Sequence, residues 1–308
     1  MVALQPAQRL VHARASVFAI ASSCPPGTLC EMAATVPVRL VALDLDQTVF
    51  GNDLTPRPRV RAVLAQVQAR GTVVTVATGR DIKLAAKFAR DLGITAPIVG
   101  AHGACIYDPQ RDQVLHNVQL SPEQLPRILA AAERHGWAVH FEVFDQIYLP
   151  AQSSHPPLLF ELMRYSRWAR VGDLLRDMPE PPHKFVVTLA QPEDRARVVA
   201  EMEAALGDEV TIVVSHPHLV EALPKGVHKG HGLAWLAEHL GVARQEVLAI
   251  GDSEADVPMI EWAGIGVAMG NSAPEVKAAA DWVAPSLEED GAAAALVAAP
   301  AAAARSLL

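Results

Sequence analysis

Apolar and polar residues first settle into a regular pattern at residue 38. "VRLVALD" is a run of aliphatic residues closed by Asp44, the composition of a strand buried on both faces. "PRPRVRAVLAQVQARG" then changes period. Val60, Val63, Leu64 and Val67 fall at i, i+3, i+4 and i+7 and Gly71 ends the run, which predicts an amphipathic helix with a glycine at its C-terminal end. "TVVTVATGR" predicts the next strand and turn, "DIKLAAKFARDLG" a second helix ending on Gly93, and "APIVGAHGACIYD" a third strand region. The alternation resumes late in the chain. "KGHGLAWLAEHLG" aligns Leu233, Leu236, Ala237 and Leu240 on one helical face, followed by the strand "EVLAIGD", a short helix through Ile260, the strand "GIGVAM" and a helix opening at "NSAPEVKAAAD". In that last helix Ser272 and Glu275 have capping-box spacing, with Pro274 in the first turn. Strands and helices alternating with short breaks predict an α/β fold, a doubly wound parallel sheet covered by helices.

Between these halves the pattern changes. "SPEQLPRILAAAERHGWAVHFEVFDQIYLP" reads as a helix then strands, and "KFVVTLAQPEDRARVVAEMEAALGDEVTIVVS" as strand, helix, strand, with the loops "QSSHPPLL" and "MPEPPH" between them. Two such units make a small α+β domain, in which Trp137, Phe141, Phe144 and Tyr148 pack a core. The expected organisation is a core of residues 37–112 and 221–308 with an α+β cap inserted at 113–220. Residues 1–36 form an extension, read as disordered or as following a start codon set too far upstream, because Met32 immediately precedes the first strong strand. The rival reading is an export leader, but its apolar stretch is short and no clean cleavage site follows.

Composition narrows the partners. The chain has 308 residues, 51% of them hydrophobic, enough for a sizeable core. A formal net charge of −8 excludes a general nucleic-acid or anionic-membrane binder, since both need a basic face. No apolar stretch approaches a membrane span. Three cysteines, Cys24, Cys30 and Cys105, make no disulfide framework, which fits the cytoplasm. Nothing in the sequence speaks to oligomeric state.

The chemistry lies at strand ends, where an open α/β sheet places its ligand crevice. Asp44, Asp46 and Thr48 follow the first strand, Thr78, Gly79 and Arg80 the second, and Asp252 and Asp256 a late one, while Lys225 and Lys229 stand before a helix. Asp44 and Asp46 would both be ionised at neutral pH and would repel each other unless a cation sits between them. Paired carboxylates suit phosphoryl transfer, one attacking phosphorus and the other handling the proton, with Mg²⁺ on hard oxygen ligands. His216 with His218, and His228 with His231, lack a further ligand at zinc spacing and are read as loop or cap residues.

Taken in order, "DLDQT", "TGR", "PKGVHKG", "GDSEADVPM" and "GVAMGNSAPEVKAAAD" resemble the motifs of the haloacid dehalogenase superfamily, in its Cof-type, C2-capped (type IIB) sugar phosphatase branch. The resemblance runs from about residue 38 to 296. It implies that Asp44 is the nucleophile and Asp46 the general acid and base, whose backbone oxygen also meets the metal. It further implies that Thr48 orients this pair, that Thr78, Gly79 and Lys229 hold phosphate, and that Asp44, Asp46, Asp252 and Asp256 bind Mg²⁺. Arg80 and His102 are candidates for substrate contact. Three positions depart from the pattern: Gln47 stands where many members have glycine, and Ala255 and His102 each where asparagine is common.

The expected function is a Mg²⁺-dependent phosphatase acting on a small phosphorylated metabolite, a sugar phosphate above all. A phosphomutase or phosphotransferase that passes the group to a sugar hydroxyl is the alternative from another enzyme class. A non-catalytic phosphoacceptor module is a third, weakened by the large insert and the D-x-D spacing.

Overall fold

The structure, a computed structural model, describes residues 37–302; the extension expected over residues 1–36, with Cys24 and Cys30, lies outside them. Five parallel strands form the central sheet in the order Trp282–Val283, Ile265–Ala268, Val247–Gly251, Leu40–Leu43, Val73–Val76. Leu40–Leu43 and Val247–Gly251 are buried along their whole length. Period-2 alternation explains how both faces are used. Val41, Leu43, Leu248 and Ile250 point to one core, lined by Leu64 of the helix Pro58–Ala69 and Leu296 of Gly291–Ala302. Leu40, Ala42, Val247 and Ala249 point to the other, under Leu233 and Leu236 of Lys229–His239. A sheet with helices on both faces is the doubly wound arrangement.

The third strand region departs from expectation. It is a hairpin, not one strand: Ile98–Gly100, Cys105–Asp108 and Gln113–Asn117 make a separate antiparallel sheet, tied to the parallel one by the isolated bridge Ala77 to Val99. The reversal runs through left-handed backbone at Ala101, His102 and Gly103 (φ 46°, 52° and 94°). For the two non-glycine residues that conformation costs roughly 1 to 2 kcal/mol each.

A six-stranded sheet follows, ordered Val210–His216, Leu219–Pro224, Lys184–Thr188, Val139–Val143, Gln146–Pro150, Arg167–Val171. The helices Leu125–His135 and Arg195–Leu206 cover one face, over Trp137, Phe141, Tyr148, Phe185 and Val220. Phe144 instead packs against the core of the parallel sheet. Because Gln113–Asn117 pairs with Cys105–Asp108 and Leu219–Pro224 with Lys184–Thr188, both passages between sheets lie a few residues later than 113 and 220. The helix Pro157–Leu162 begins inside the stretch "QSSHPPLL" read as a loop, and the strand Arg167–Val171 and the helix Leu174–Asp177 fall where the sequence pattern assigned no element.

Ser272 does not cap its helix. Ala273 holds the N-cap position of Pro274–Ala279, with Pro274 in the first turn, and the Ser272 hydroxyl is buried without a partner. Among the described residues no helix is long and apolar enough to cross a membrane.

Candidate active site

At the carboxyl end of Leu40–Leu43 the Asp44 amide donates to the Ile250 carbonyl (2.9 Å), continuing the sheet one residue and fixing where the carboxylate begins. Lys229, only 2% exposed at the start of its helix, donates from Nζ to Asp44 Oδ1 and to Asp256 Oδ1, both at 2.6 Å. Asp44, Asp252 and Asp256 each bring an oxygen into a set lying within 4.8 Å of one another. Lys225 stands exposed on the preceding turn.

Close backbone approach makes this cluster possible. A Cβ on Gly251 would collide with the Asp256 side chain, and one on Gly230 with the Pro258 carbonyl. Asp256 Oδ2 accepts from the Asp252 amide (3.1 Å), the Ser253 amide (2.9 Å) and the Ser253 hydroxyl (2.8 Å). Ser253 thus holds Asp256 although Ala255 offers no side-chain hydrogen bond. The Thr48 hydroxyl donates to Asp252 Oδ1 at 3.1 Å, so it orients that residue rather than the Asp44 and Asp46 pair.

Two buried carboxylates and a half-buried third, all ionised against one ammonium, would leave two negative charges uncompensated, and the proton equilibria register it. Burial, then the neighbouring Asp256, pushes Asp252 up to about 7. Burial also raises Asp44 well above the usual carboxylate range, against the pull of Lys229. Lys229 itself is raised, because Asp256 and Asp44 outweigh its own burial. A hard divalent cation fits this oxygen set and this charge deficit.

Asp46 faces elsewhere. Its Oδ2 accepts from Arg80 Nε at 2.8 Å and its Oδ1 from an Arg80 terminal nitrogen at 2.6 Å, a two-point pair whose guanidinium also lies 5.3 Å from the Phe88 ring centre. Arg80 is therefore engaged with Asp46. Thr78, 1% exposed, accepts the Arg80 amide on its hydroxyl (3.3 Å) and the His102 amide on its carbonyl (2.9 Å). Gly79 packs on the His102 ring, which leaves no room for a Cβ, and its carbonyl accepts from Lys184 Nζ at 2.8 Å.

Lys184 leads to a second buried cluster that sequence reasoning missed. Its ammonium bonds Glu221 and lies 3.3 Å from Glu142 Oε2; Glu221 also takes His102 Nε2 at 3.0 Å and the Ser215 hydroxyl. Alternation puts these residues on one face, since Phe141, Phe185 and Val220 beside them point to the opposite core. A charged residue at an inward position of "HFEV", "KFVVT" and "LVEAL" was the available signal. Both clusters line one cavity of about 690 Å³, bounded by Asp44, Thr78 and Asp252 on the parallel sheet and by His140, Glu142 and Lys184 on the six-stranded one.

The family model described as haloacid dehalogenase-like hydrolase matches residues 41–296. A 5-amino-6-(5-phospho-D-ribitylamino)uracil phosphatase of Bacillus subtilis is 29% identical over 262 residues, covering 82% of this chain and 94% of that protein. The crystal structure of a haloacid dehalogenase-like hydrolase from Bacteroides thetaiotaomicron superposes with a TM-score of 0.74 at 27% identity, over 84% of this chain and 98% of that one. A subclass IIB sugar phosphatase shares the fold at a TM-score of 0.71 and 21% identity, over 84% and 98% of the two chains.

Proposed function

Because this chain belongs to the haloacid dehalogenase-like hydrolases, we propose that it is a Mg²⁺-dependent phosphatase that hydrolyses a small phosphorylated metabolite, sugar phosphates first among them, through an aspartyl phosphate on Asp44. The observation that carries this reading is the gathering of Asp44, Asp252 and Asp256 around Lys229 at the mouth of the parallel sheet.

Asp44 attacks phosphorus, the ester P–O bond breaks, and the departing alkoxide takes a proton from Asp46. Asp46, now a carboxylate, removes a proton from a water molecule that attacks the aspartyl phosphate and releases inorganic phosphate. Before the first step its carboxylate leaves Arg80 and takes up a proton from solvent. Lys229, Thr78 and the Gly79 turn hold the phosphoryl oxygens. Asp44, Asp252, Asp256 and the main-chain oxygen of Asp46 would hold Mg²⁺, which when bound supplies charge neutralisation and orientation at the phosphoryl group. The six-stranded unit over the cavity excludes bulk water and reads the organic part of the substrate.

The test is inorganic phosphate release with Mg²⁺ over sugar phosphates, nucleotides and cofactor phosphates. Steady turnover is expected, lost on chelation and lowered at least ~10⁴-fold in Asp44→Asn. Absence of release from every ester overturns the reading. Isomerised sugar phosphate without inorganic phosphate would replace it with group transfer.

A further inference from the structure

Glu142 sits directly across the strand pair from Lys184, on the face of the six-stranded sheet that lines the cavity. Its neighbour Glu221 is closed off: Lys184, His102 and Ser215 all bond it and it is 2% exposed. Glu142 is the open member of the cluster. Its Oε2 shares the Lys184 ammonium at 3.3 Å, while the nearest ionic partner of Oε1 is His140 Nε2 at 3.8 Å, beyond hydrogen-bond reach, and its side chain keeps 14% exposure. His140, 2% exposed, lines the same cavity, and its Nδ1 is buried with no partner. Burial opposes ionisation of Glu142, yet Lys184 and His140 hold it below the usual carboxylate range, so it is an anion at neutral pH.

Three partners close Glu221, whereas Glu142 shares the Lys184 ammonium with Glu221 and with the Gly79 carbonyl, in a setting where an incompletely paired charge is costly. Arg164 and Arg195 also line the cavity, but both are exposed, where solvent screens them. The Lys184 ammonium that touches Glu142 also touches the Gly79 carbonyl, so the carboxylate stands next to the turn proposed to hold phosphate.

From this juxtaposition we propose that Glu142 is a specificity-determining residue and that the preferred substrate is a phosphate ester whose alcohol portion carries a cationic amine, placed against Glu142 Oε1 and His140. This deepens the phosphatase reading and rests on it. The shared chemistry is the ammonium group, which an amino sugar or an amine-bearing heterocycle can supply.

Two pairs of esters that exchange ammonium for hydroxyl separate these sources: glucosamine 6-phosphate with glucose 6-phosphate, and pyridoxamine 5-phosphate with pyridoxine 5-phosphate. In at least one pair kcat/KM is expected to favour the amine about tenfold or more. Glu142→Gln should collapse that ratio toward one, and Glu142→Asp, which keeps the charge, should retain most of it. A ratio near one for the wild-type protein in both pairs overturns the proposal while the phosphatase reading stands, as does a preference that survives Glu142→Gln. No hydrolysis of any of the four esters, or of phenyl phosphate, removes both.

Discussion

The molecule buries two lysines among carboxylates, and the two clusters differ in what they leave unsatisfied. Lys229 meets Asp44 and Asp256, with Asp252 inside the same 4.8 Å set, so with all three ionised its cluster carries two negative charges in excess. Lys184 meets Glu221 and Glu142, but His102, Ser215 and the Gly79 carbonyl complete its surroundings. In the second case the carboxylates are held below their ordinary range, and in the first Asp44 and Asp252 are raised above it. A buried ion pair is thus no sign of reactivity by itself. The Asp44 cluster, whose surplus its own donors leave uncovered, is suited to a cation, whereas the Lys184 cluster ties two sheets together and leaves Glu142 alone incompletely covered.

The largest effect should come from Lys229→Met. Turnover is expected to fall at least ~10³-fold, because a charge that neutralises the phosphoryl group is lost. The three exposed-to-each-other carboxylates should also lower the melting temperature in EDTA, with recovery on adding Mg²⁺. Lys184→Met should lose about 3 to 5 kcal/mol of stability, read from urea unfolding, with no recovery on adding Mg²⁺. Equal recovery of both variants by Mg²⁺ would erase the distinction.

A smaller effect concerns the joint alone. Burial pushes His183 down to about 4. Its Nδ1 accepts the Phe144 amide at 3.1 Å, which leaves the Nε2 proton to donate to Asn117, so a second proton has no place to go. The folded protein therefore takes up that proton later than the unfolded chain does. Stability from this group is complete above pH 6.5 and is lost as pH falls from there toward 4, by about 3 kcal/mol. His183→Asn should flatten that part of a urea-midpoint profile, and an unchanged slope would count against it.

Gln47→Gly should do least. Gln47 adopts φ 58°, so the glycine expected at this place would relieve roughly 1 kcal/mol of left-handed strain, offset by its greater freedom when unfolded and by the lost contact from Gln47 to Asn52 (2.8 Å). Stability within about 1 kcal/mol of the parent is expected by thermal melting.

Much of the parallel sheet was legible because each aliphatic run ends in a polar residue at the same end, and this one regularity located Asp44, Thr78 and Asp252 together. What escaped is set by non-local geometry. The continuous text of "APIVGAHGACIY" does not reveal a reversal through left-handed Ala101 and His102. Thr48 faces Asp252 from 204 positions away, and Arg80 faces Asp46 across 34. Capping spacing at Ser272 failed because the helix starts one residue later, with proline fixing its first turn. The prolines before Leu158 read as loop although proline suits the first turn of a helix, as it does there.

The turn from Gly79 to Ile82 is gripped from the six-stranded side at three places: Lys184 holds the Gly79 carbonyl, Ser166 donates to Asp81 Oδ2 at 2.7 Å, and the Ile82 amide donates to the Phe144 carbonyl at 3.1 Å. An outward swing of that sheet would tug first on the residues beside Thr78. Admission of a new molecule and slackening of the proposed phosphate-holding turn would then be one mechanical event, and a hinge that loosened without disturbing this turn would have to pivot on it like a door on its post.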